Sequence, residues 1–416
     1  MDYCLFYACH ESHLSAIGAA ATSELSFKYA VLSDPMSRAR ILFLDDNPDY
    51  GGHQLMAAHG LEAVLQSNQW DVRGLYNPEN VKNRARWEAI ASGFSQDRFQ
   101  MAPAATSSGR FQALKSHFIP HDLEALRLQI SAFEPDLILV IQGNIEQSCS
   151  IFSIKGELSC PLVSYIPLPH KHQEMGAQLG LLRDWTCRGL YAVPDGYITL
   201  SATLATMLQD YGAKGPVHVV ENGIALESYR DLPASVEARR LLGLPETGYL
   251  WGHVGRTEYK QKGQDVSLAV FAQRAALHPE EHLVFLGSGP DDRALHKSAQ
   301  GHPRVHCLAW RDQLAVFYAA VDALLLPSRY EGVPLVMLEA LACGVPVVST
   351  DRDGMRDWLP SSWRFPYRDR GAFLAAMTAV RADQSGAIEA LKQKVWRDHS
   401  MESFHRAFNL ELHSWI

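Results

Sequence analysis

Short, nearly continuous apolar runs closed by turn residues recur along this chain and constrain its fold more than any other feature. ILFLDD (Ile41 to Asp46), PDLILVIQG (Pro135 to Gly143), PLVSYIPL (Pro161 to Leu168), DGYITL (Asp195 to Leu200) and VHVVENG (Val217 to Gly223) lack the strict alternation of a half-exposed strand. Such runs read as strands covered on both faces. Helical patterns such as LMAAHGLEAVLQ and LATMLQDYGA lie between them. The order is βα repeated, which implies a doubly wound parallel sheet.

The pattern breaks in IALESYRDLPASVEARRLLGLPETG (Ile224 to Gly248), a polar, proline-containing stretch. It restarts with YLWGHVGR (Tyr249 to Arg256), EHLVFLGSG (Glu281 to Gly289), VHCLAW (Val305 to Trp310), DALLLPS (Asp322 to Ser328) and VPVVST (Val345 to Thr350). The fold class is therefore α/β, with two Rossmann-like doubly wound units. Residues 1–38 read as an extension outside the fold, with Met36 as a candidate start; 39–230 form the first unit and 231–396 the second. Residues 397–416 form a closing helix, because Phe404, Phe408 and Leu412 recur at helical spacing. No repeat at solenoid periods interrupts this scheme.

A chain of 416 residues that is 47% hydrophobic can bury two such cores. Its net charge of -8 speaks against a binder held to nucleic acid mainly by charge. The seven cysteines include no CxxC pair, so neither a disulfide framework nor a zinc ribbon is indicated and a reducing cytoplasm is expected. No apolar run approaches the roughly 20 residues of a spanning helix. Membrane contact, if made, would be peripheral, through one face of a surface helix at the inner side of the membrane.

The chemistry concentrates in YEGVPLVMLEALACGVPVVST (Tyr330 to Thr350). A helix starting near Pro334 and broken by Gly344 and Pro346 places Glu331 in the turn before it and Glu339 well inside it. Eight positions at 1.5 Å each correspond to roughly 12 Å, longer than the carboxylate spacing of either class of glycosidase. The pair suits two ends of one elongated ligand, with the backbone N–H groups of Gly332, Val333 and Leu335 offered to an anion. Upstream, GRTEYKQKG puts Arg256 and Lys262 on a loop after a strand, where two cations can clamp a diphosphate. In the first unit, Gly52 of the GG turn after Asp46 allows close approach of a ligand or simply a tight turn, and His53 follows it.

VGRTEYKQKGQD followed by PSRYEGVPLVMLEALACGVPVVST is similar to the carboxyl-terminal domain of retaining GT-B glycosyltransferases of family 4, the glycosyl transferases group 1, whose signature is Glu, seven residues, Glu. GYITLSATLATMLQDYG and VVENGIALESYR resemble the strand, helix and NG turn before that family's linker. The resemblance implies a retaining transfer of a sugar from a UDP, GDP or ADP sugar to a glycan, glycolipid or small-molecule acceptor, as in polysaccharide biosynthesis, with no metal required. It assigns Arg256 and Lys262 to the diphosphate, Glu331 to the donor sugar, Glu339 to the ribose, and Trp310 with Arg311 to the base. It also implies a histidine near the anomeric centre, and in SYIPLPHKHQEMG both His170 and His172 qualify.

Other readings stand beside these. Asp351-Arg352-Asp353 is a DxD string of the kind that holds metal in another glycosyltransferase fold, or a polar loop facing the donor. His170-x-His172 would suit zinc but lacks an evident third ligand, and either histidine can be a surface residue. Gly287-Ser288-Gly289 reads as a structural turn ahead of a phosphate contact. On the same fold, a nucleotide-sugar epimerase, a phosphorylase or a non-catalytic nucleotide-sugar binding protein are the rival functions.

Overall fold

The computed structural model describes residues 38–416, apart from 105, 107, 119, 312 and 313. The proposed extension and Met36 lie outside the described residues.

Seven parallel strands form the first sheet: β1 (Ala39–Asp45), β2 (Trp70–Tyr76), β3 (Phe99–Pro103), β4 (Leu137–Ile141), β5 (Leu162–Tyr165), β6 (Gly196–Thr199) and β7 (Val217–Val219), in the order β3-β2-β1-β4-β5-β6-β7. Six parallel strands form the second: β8 (Tyr249–Val254), β9 (Glu281–Leu286), β10 (Val305–Leu308), β11 (Ala323–Leu326), β12 (Val347–Thr350) and β13 (Arg364–Phe365), in the order β10-β9-β8-β11-β12-β13. Both sheets reverse direction at the first strand, between β1 and β4 and between β8 and β11. That reversal opens a crevice at the carboxyl ends of the strands, where doubly wound sheets bind ligands.

The apolar runs explain the central strands. All five residues of β4 and all four of β11 are buried, because helices cover both faces. β2, β3 and β13 carry no such run and were not legible in the sequence. β2 is WDVRGLY, in which apolar and polar positions alternate in burial near the sheet edge.

Two tertiary seams matter for the site. The closing helix, Met401–His413, packs against the helix Gly52–Gln66 of the first unit, with Phe408 so close to Gly60 that an added Cβ would lie 2.6 Å from the ring. Asn409 Nδ2 donates to Ala63 O at 2.8 Å across that seam. The crevice seam is closed by Thr203 Oγ1 donating to Asp357 Oδ1 at 2.6 Å, Asn222 Nδ2 to Val333 O at 3.0 Å, and Arg329 Nε to Glu174 O at 2.8 Å. Pro167 O and Leu200 lie against Gly332, where a Cβ would come within 2.8 Å of the carbonyl.

Candidate active site

The loops leaving β8 and β9 interlock through glycine. Gly255 turns at φ +137°, and a Cβ on Gly287 would fall 1.9 Å from its carbonyl oxygen. A Cβ on Gly289 would fall 2.4 Å from Thr257 O. Gly287-Ser288-Gly289 therefore has a packing reason to exist, as a seat for the loop that carries Arg256. A single helical turn, Tyr259–Lys262, follows and stops at Gly263 with φ +72°. It delivers Lys262 toward β11, where Nζ donates to Glu331 Oε1 at 2.6 Å. The pair is largely buried, Glu331 more than Lys262. Arg256 instead pairs with Glu258 and leaves about half its side chain in solvent, 54%, so it is free to reorient.

Behind Lys262, His253 is buried and hydrogen-bonded to Ser267 Oγ at 2.9 Å. Burial first, and the Lys262 charge second, push its imidazole down to about 3. It stays neutral, so no second cation weakens Lys262 from behind.

The helix predicted from near Pro334 runs Leu335–Ala342 with Pro334 as its N-cap, and Gly344 at φ +78° follows its end. Glu331 sits in the preceding turn, where its backbone N donates to Asp353 Oδ2 at 2.8 Å. Glu339 occupies the helix and is partly buried; Tyr318 Oη donates to its Oε2 at 2.7 Å. Burial raises the Glu339 carboxyl above its usual range, against the opposing hydrogen bonds of Tyr318 and Tyr229. The two glutamates thus lie in separate hydrogen-bond networks.

Both histidines after β5 are buried, so neither is a surface residue. They differ in what they touch. His172 is pinned within the first unit: its backbone N donates to Asp184 Oδ1 at 2.7 Å, its Nδ1 lies 3.0 Å from the same oxygen, and its Nε2 lies 3.4 Å from Glu146 Oε2. Burial pushes the Glu146 carboxyl up, but the hydrogen bonds from His172 and Arg183 outweigh it and leave the group below its usual range. His170 reaches across the crevice instead, with Nε2 2.8 Å from Asp353 Oδ1 and its ring 5.8 Å from that of Tyr330. Its Nδ1 is buried and has no hydrogen-bond partner.

Asp353, which the sequence offered only as part of a DxD string or a polar loop, is the residue whose contacts no spacing pattern pointed to. Within the DRD string, Asp351 is held by Arg364 and by Arg356 Nε at 3.2 Å, while Asp353 joins His170 to the Glu331 turn. Both carboxylates are occupied by protein groups. Asp353 also adopts φ +54°, a conformation L residues seldom take and one that no spacing pattern announces. Among the described residues, the groups with metal-ligand spacing, His59-Glu62-His405 and His278-Glu280-Glu281, include neither the DRD string nor His170 or His172.

The remaining candidates lie elsewhere. Gly52 is exposed and opens the helix Gly52–Gln66. His53 is partly buried, 3.4 Å from Asn47 Nδ2, and burial lowers it to about 4. Trp310 and Arg311 follow β10, Trp310 packed on the core and Arg311 exposed. The structure therefore gathers Lys262, Glu331, Asp353 and His170 at the crevice and sets His172 in a network of its own.

A family model described as glycosyl transferases group 1 matches residues 249–383. Residues 249–383 carry the group 1 glycosyltransferase pattern. This group 1 domain contains Arg256, Lys262, Glu331, Glu339 and Asp353, while both histidines lie outside it. The chain is 32% identical over 242 residues to sulfoquinovosyl transferase SQD2 of Arabidopsis thaliana, covering 56% of this chain and 46% of that protein. It is 36% identical over 158 residues to D-inositol 3-phosphate glycosyltransferase of Salinispora arenicola, covering 33% and 35%. The chain thus spans under half the length of these curated relatives. Among solved structures, HepE of Anabaena in complex with UDP and glucose superposes with a TM-score of 0.69 at 17% identity, over 91% of this chain and all of that one. Sucrose-phosphate synthase of Thermosynechococcus elongatus gives 0.69 at 18% identity over 91% and 99%. The fold is GT-B, two parallel-sheet units facing a crevice.

Proposed function

We propose that this protein is a glycosyltransferase that moves a sugar from a nucleotide diphosphate sugar to a hydroxyl-bearing acceptor, with retention at the anomeric carbon. The observation that carries this reading is the Lys262–Glu331 pair, 2.6 Å apart at the carboxyl end of a doubly wound sheet, with Arg256 exposed on the same loop. A carboxylate that orients sugar hydroxyls and cations that hold a diphosphate belong at the two sides of the bond to be broken. HepE, solved with UDP and glucose bound, favours a uridine nucleotide for a chain of this fold.

On donor binding, Lys262 exchanges part of its contact with Glu331 for the diphosphate, and Arg256 leaves Glu258 to join it. Negative charge then grows on the departing phosphate within reach of both cations. Glu331, released from Lys262, accepts hydroxyls of the donor sugar, and Glu339 with Tyr318 faces the ribose. Residues 39–230 supply the acceptor side and 231–396 the donor side. The acceptor is a glycan, a glycolipid or a small molecule, and its determinants belong to the first unit.

The test is a thermal-shift screen of UDP, GDP and ADP sugars, since a ligand present at 100 times its Kd stabilises by about 2.7 kcal/mol. It is followed by NMR of the anomeric configuration in the product. A rise in Tm with one nucleotide class and a product that keeps the donor's configuration support the reading. Absence of any shift, or an inverted product, overturns it.

A further inference from the structure

We infer that His59, Glu62 and His405 form a binding site for one zinc ion, which clips the closing helix Met401–His413 onto the helix Gly52–Gln66 of the first unit. One ligand atom from each of the three residues lies within 4.8 Å of the other two. His59 and Glu62 are three positions apart on one helix and so share a face, while His405 comes from the other helix. The seam itself brings His405 there. Gly60 presents no Cβ to the Phe408 ring, which lets the helices approach closely, and Asn409, one turn after His405, donates Nδ2 to Ala63 O at 2.8 Å.

The ligand atoms are not engaged elsewhere. His59 Nδ1 and His405 Nε2 are both buried, and neither has a hydrogen-bond partner. Glu62 Oε2 lies 3.6 Å from His59 Nδ1, too far for a hydrogen bond, while Gln66 Nε2 donates to the other carboxylate oxygen at 3.3 Å. Buried polar nitrogens without partners cost free energy unless something occupies them. A tetrahedral zinc ion, with ligands at about 2.0–2.2 Å, sets those ligands roughly 3.4 Å apart, close to the gap already present between His59 and Glu62. Two imidazoles and a carboxylate form an open zinc site, unlike the all-oxygen sets that Mg²⁺ and Ca²⁺ take. Glu62 leaves 38% of its side chain in solvent, so water reaches the fourth position. The other group with metal-ligand spacing among the described residues, His278-Glu280-Glu281, fails this test. There the Glu281 oxygens accept from Arg274 at 2.7 and 2.9 Å and from Trp251 Nε1 at 2.8 Å.

Arg86 competes with the ion. Its Nη2 lies 3.1 Å from His59 Nε2, and a guanidinium only donates, so in the neutral ring Nε2 accepts and Nδ1 carries the hydrogen. Zinc on Nδ1 reverses this: the hydrogen moves to Nε2, and the partly buried Arg86 turns away. Its positive charge also opposes that of the ion. Removal of Arg86 therefore favours the metal.

The test is a titration of full-length, chelator-stripped protein with Zn²⁺ against a chromophoric chelator. The wild type is expected to bind one equivalent with submicromolar Kd. Glu62→Gln and His405→Gln, which keep side chains of similar size, are each expected to weaken that binding at least about 100-fold. Arg86→Met is expected to tighten it at least about threefold, and excess Mg²⁺ should leave the titration unchanged. Zinc should also slow amide hydrogen exchange in both helices of the wild type and in neither glutamine variant. Absence of a submicromolar equivalent, or one that survives Glu62→Gln and His405→Gln, overturns the site. Equal affinity in Arg86→Met overturns His59 Nδ1 as a ligand. Binding without slower exchange in Met401–His413 overturns the clip. None of these readouts depends on sugar transfer, so they are independent of the transferase reading.

Discussion

Lys262 Nζ and Glu331 Oε1 are 2.6 Å apart although 69 positions separate the residues, and both side chains are largely buried. In the proposed function the two side chains part when a diphosphate and a sugar take their places. Lys262→Met leaves the Glu331 carboxylate largely buried without its cation and is expected to cost about 1–3 kcal/mol of stability. It should also lower kcat by about 10²- to 10³-fold, as loss of one transition-state donor does. Adding Glu331→Gln should recover part of the stability but none of the turnover. Urea unfolding and steady-state kinetics on the double-mutant cycle check both.

The two histidines should separate by phenotype. His170→Gln, whose NH2 can still donate to Asp353, is expected to lose turnover by at least about 10²-fold on protein that remains folded. His172→Ala should instead remove the imidazole from the buried Asp184–Glu146 network, which Arg183 and the backbone N–H groups still hold in part, and destabilise the fold by about 1–3 kcal/mol. Equal effects of both substitutions on kcat, measured on well-folded protein, would contradict this division.

Gly287→Ala tests the interlocked loops. Its Cβ would meet Gly255 O at 1.9 Å, so one loop must move. Overpacking of this kind costs about 1–3 kcal/mol. Because the displaced loop carries Arg256, donor affinity should fall together with Tm. Calorimetric titration of the nucleotide measures the first and thermal melts the second.

Acid should destabilise the second unit through His253. Burial, then Lys262, lowers its folded pKa to about 3 from 6.5. Between those values the unfolded chain binds a proton that the folded one refuses, so stability present above pH 6.5 is lost as pH falls toward 3. Asp45 acts in the opposite direction: burial lifts it to about 7, against the hydrogen bonds from Gln54, Asn47 and Asn83. Its folded form therefore holds a proton that the unfolded one releases, and its contribution declines as pH rises from about 4 to about 7. His253→Gln should flatten the loss of Tm below pH 6.5, and a variant as acid-sensitive as the wild type would rule His253 out as the cause.

Tyr318→Phe removes the donor at 2.7 Å from Glu339 Oε2 without changing the ring. The carboxyl is already raised by burial, so losing the hydroxyl raises it further and weakens its hold on ribose hydroxyls. Affinity for the nucleoside diphosphate should drop about 5- to 20-fold, on the scale of one hydrogen bond to a charged group. The same assay with a 2′-deoxyribose nucleotide should show a smaller drop.

What the sequence determined by itself is local. Unbroken apolar runs such as LILVI and ALLL can be satisfied only between two layers of helices, which fixes parallel sheets and the crevice at their carboxyl ends. Pro334, Gly344 and the eight-residue step from Glu331 to Glu339 set a helix and its two carboxylates within one short segment. Strands such as WDVRGLY, one in from the sheet edge, stayed hidden because Asp71 and Arg73 interrupt the apolar run. Only the tertiary structure separated the surroundings of His170 from those of His172, since two histidines two positions apart have the same local pattern and differ in which unit they face. It also made Asp353 part of the site, because a contact across 183 positions and a φ of +54° come from the packing of one unit on the other.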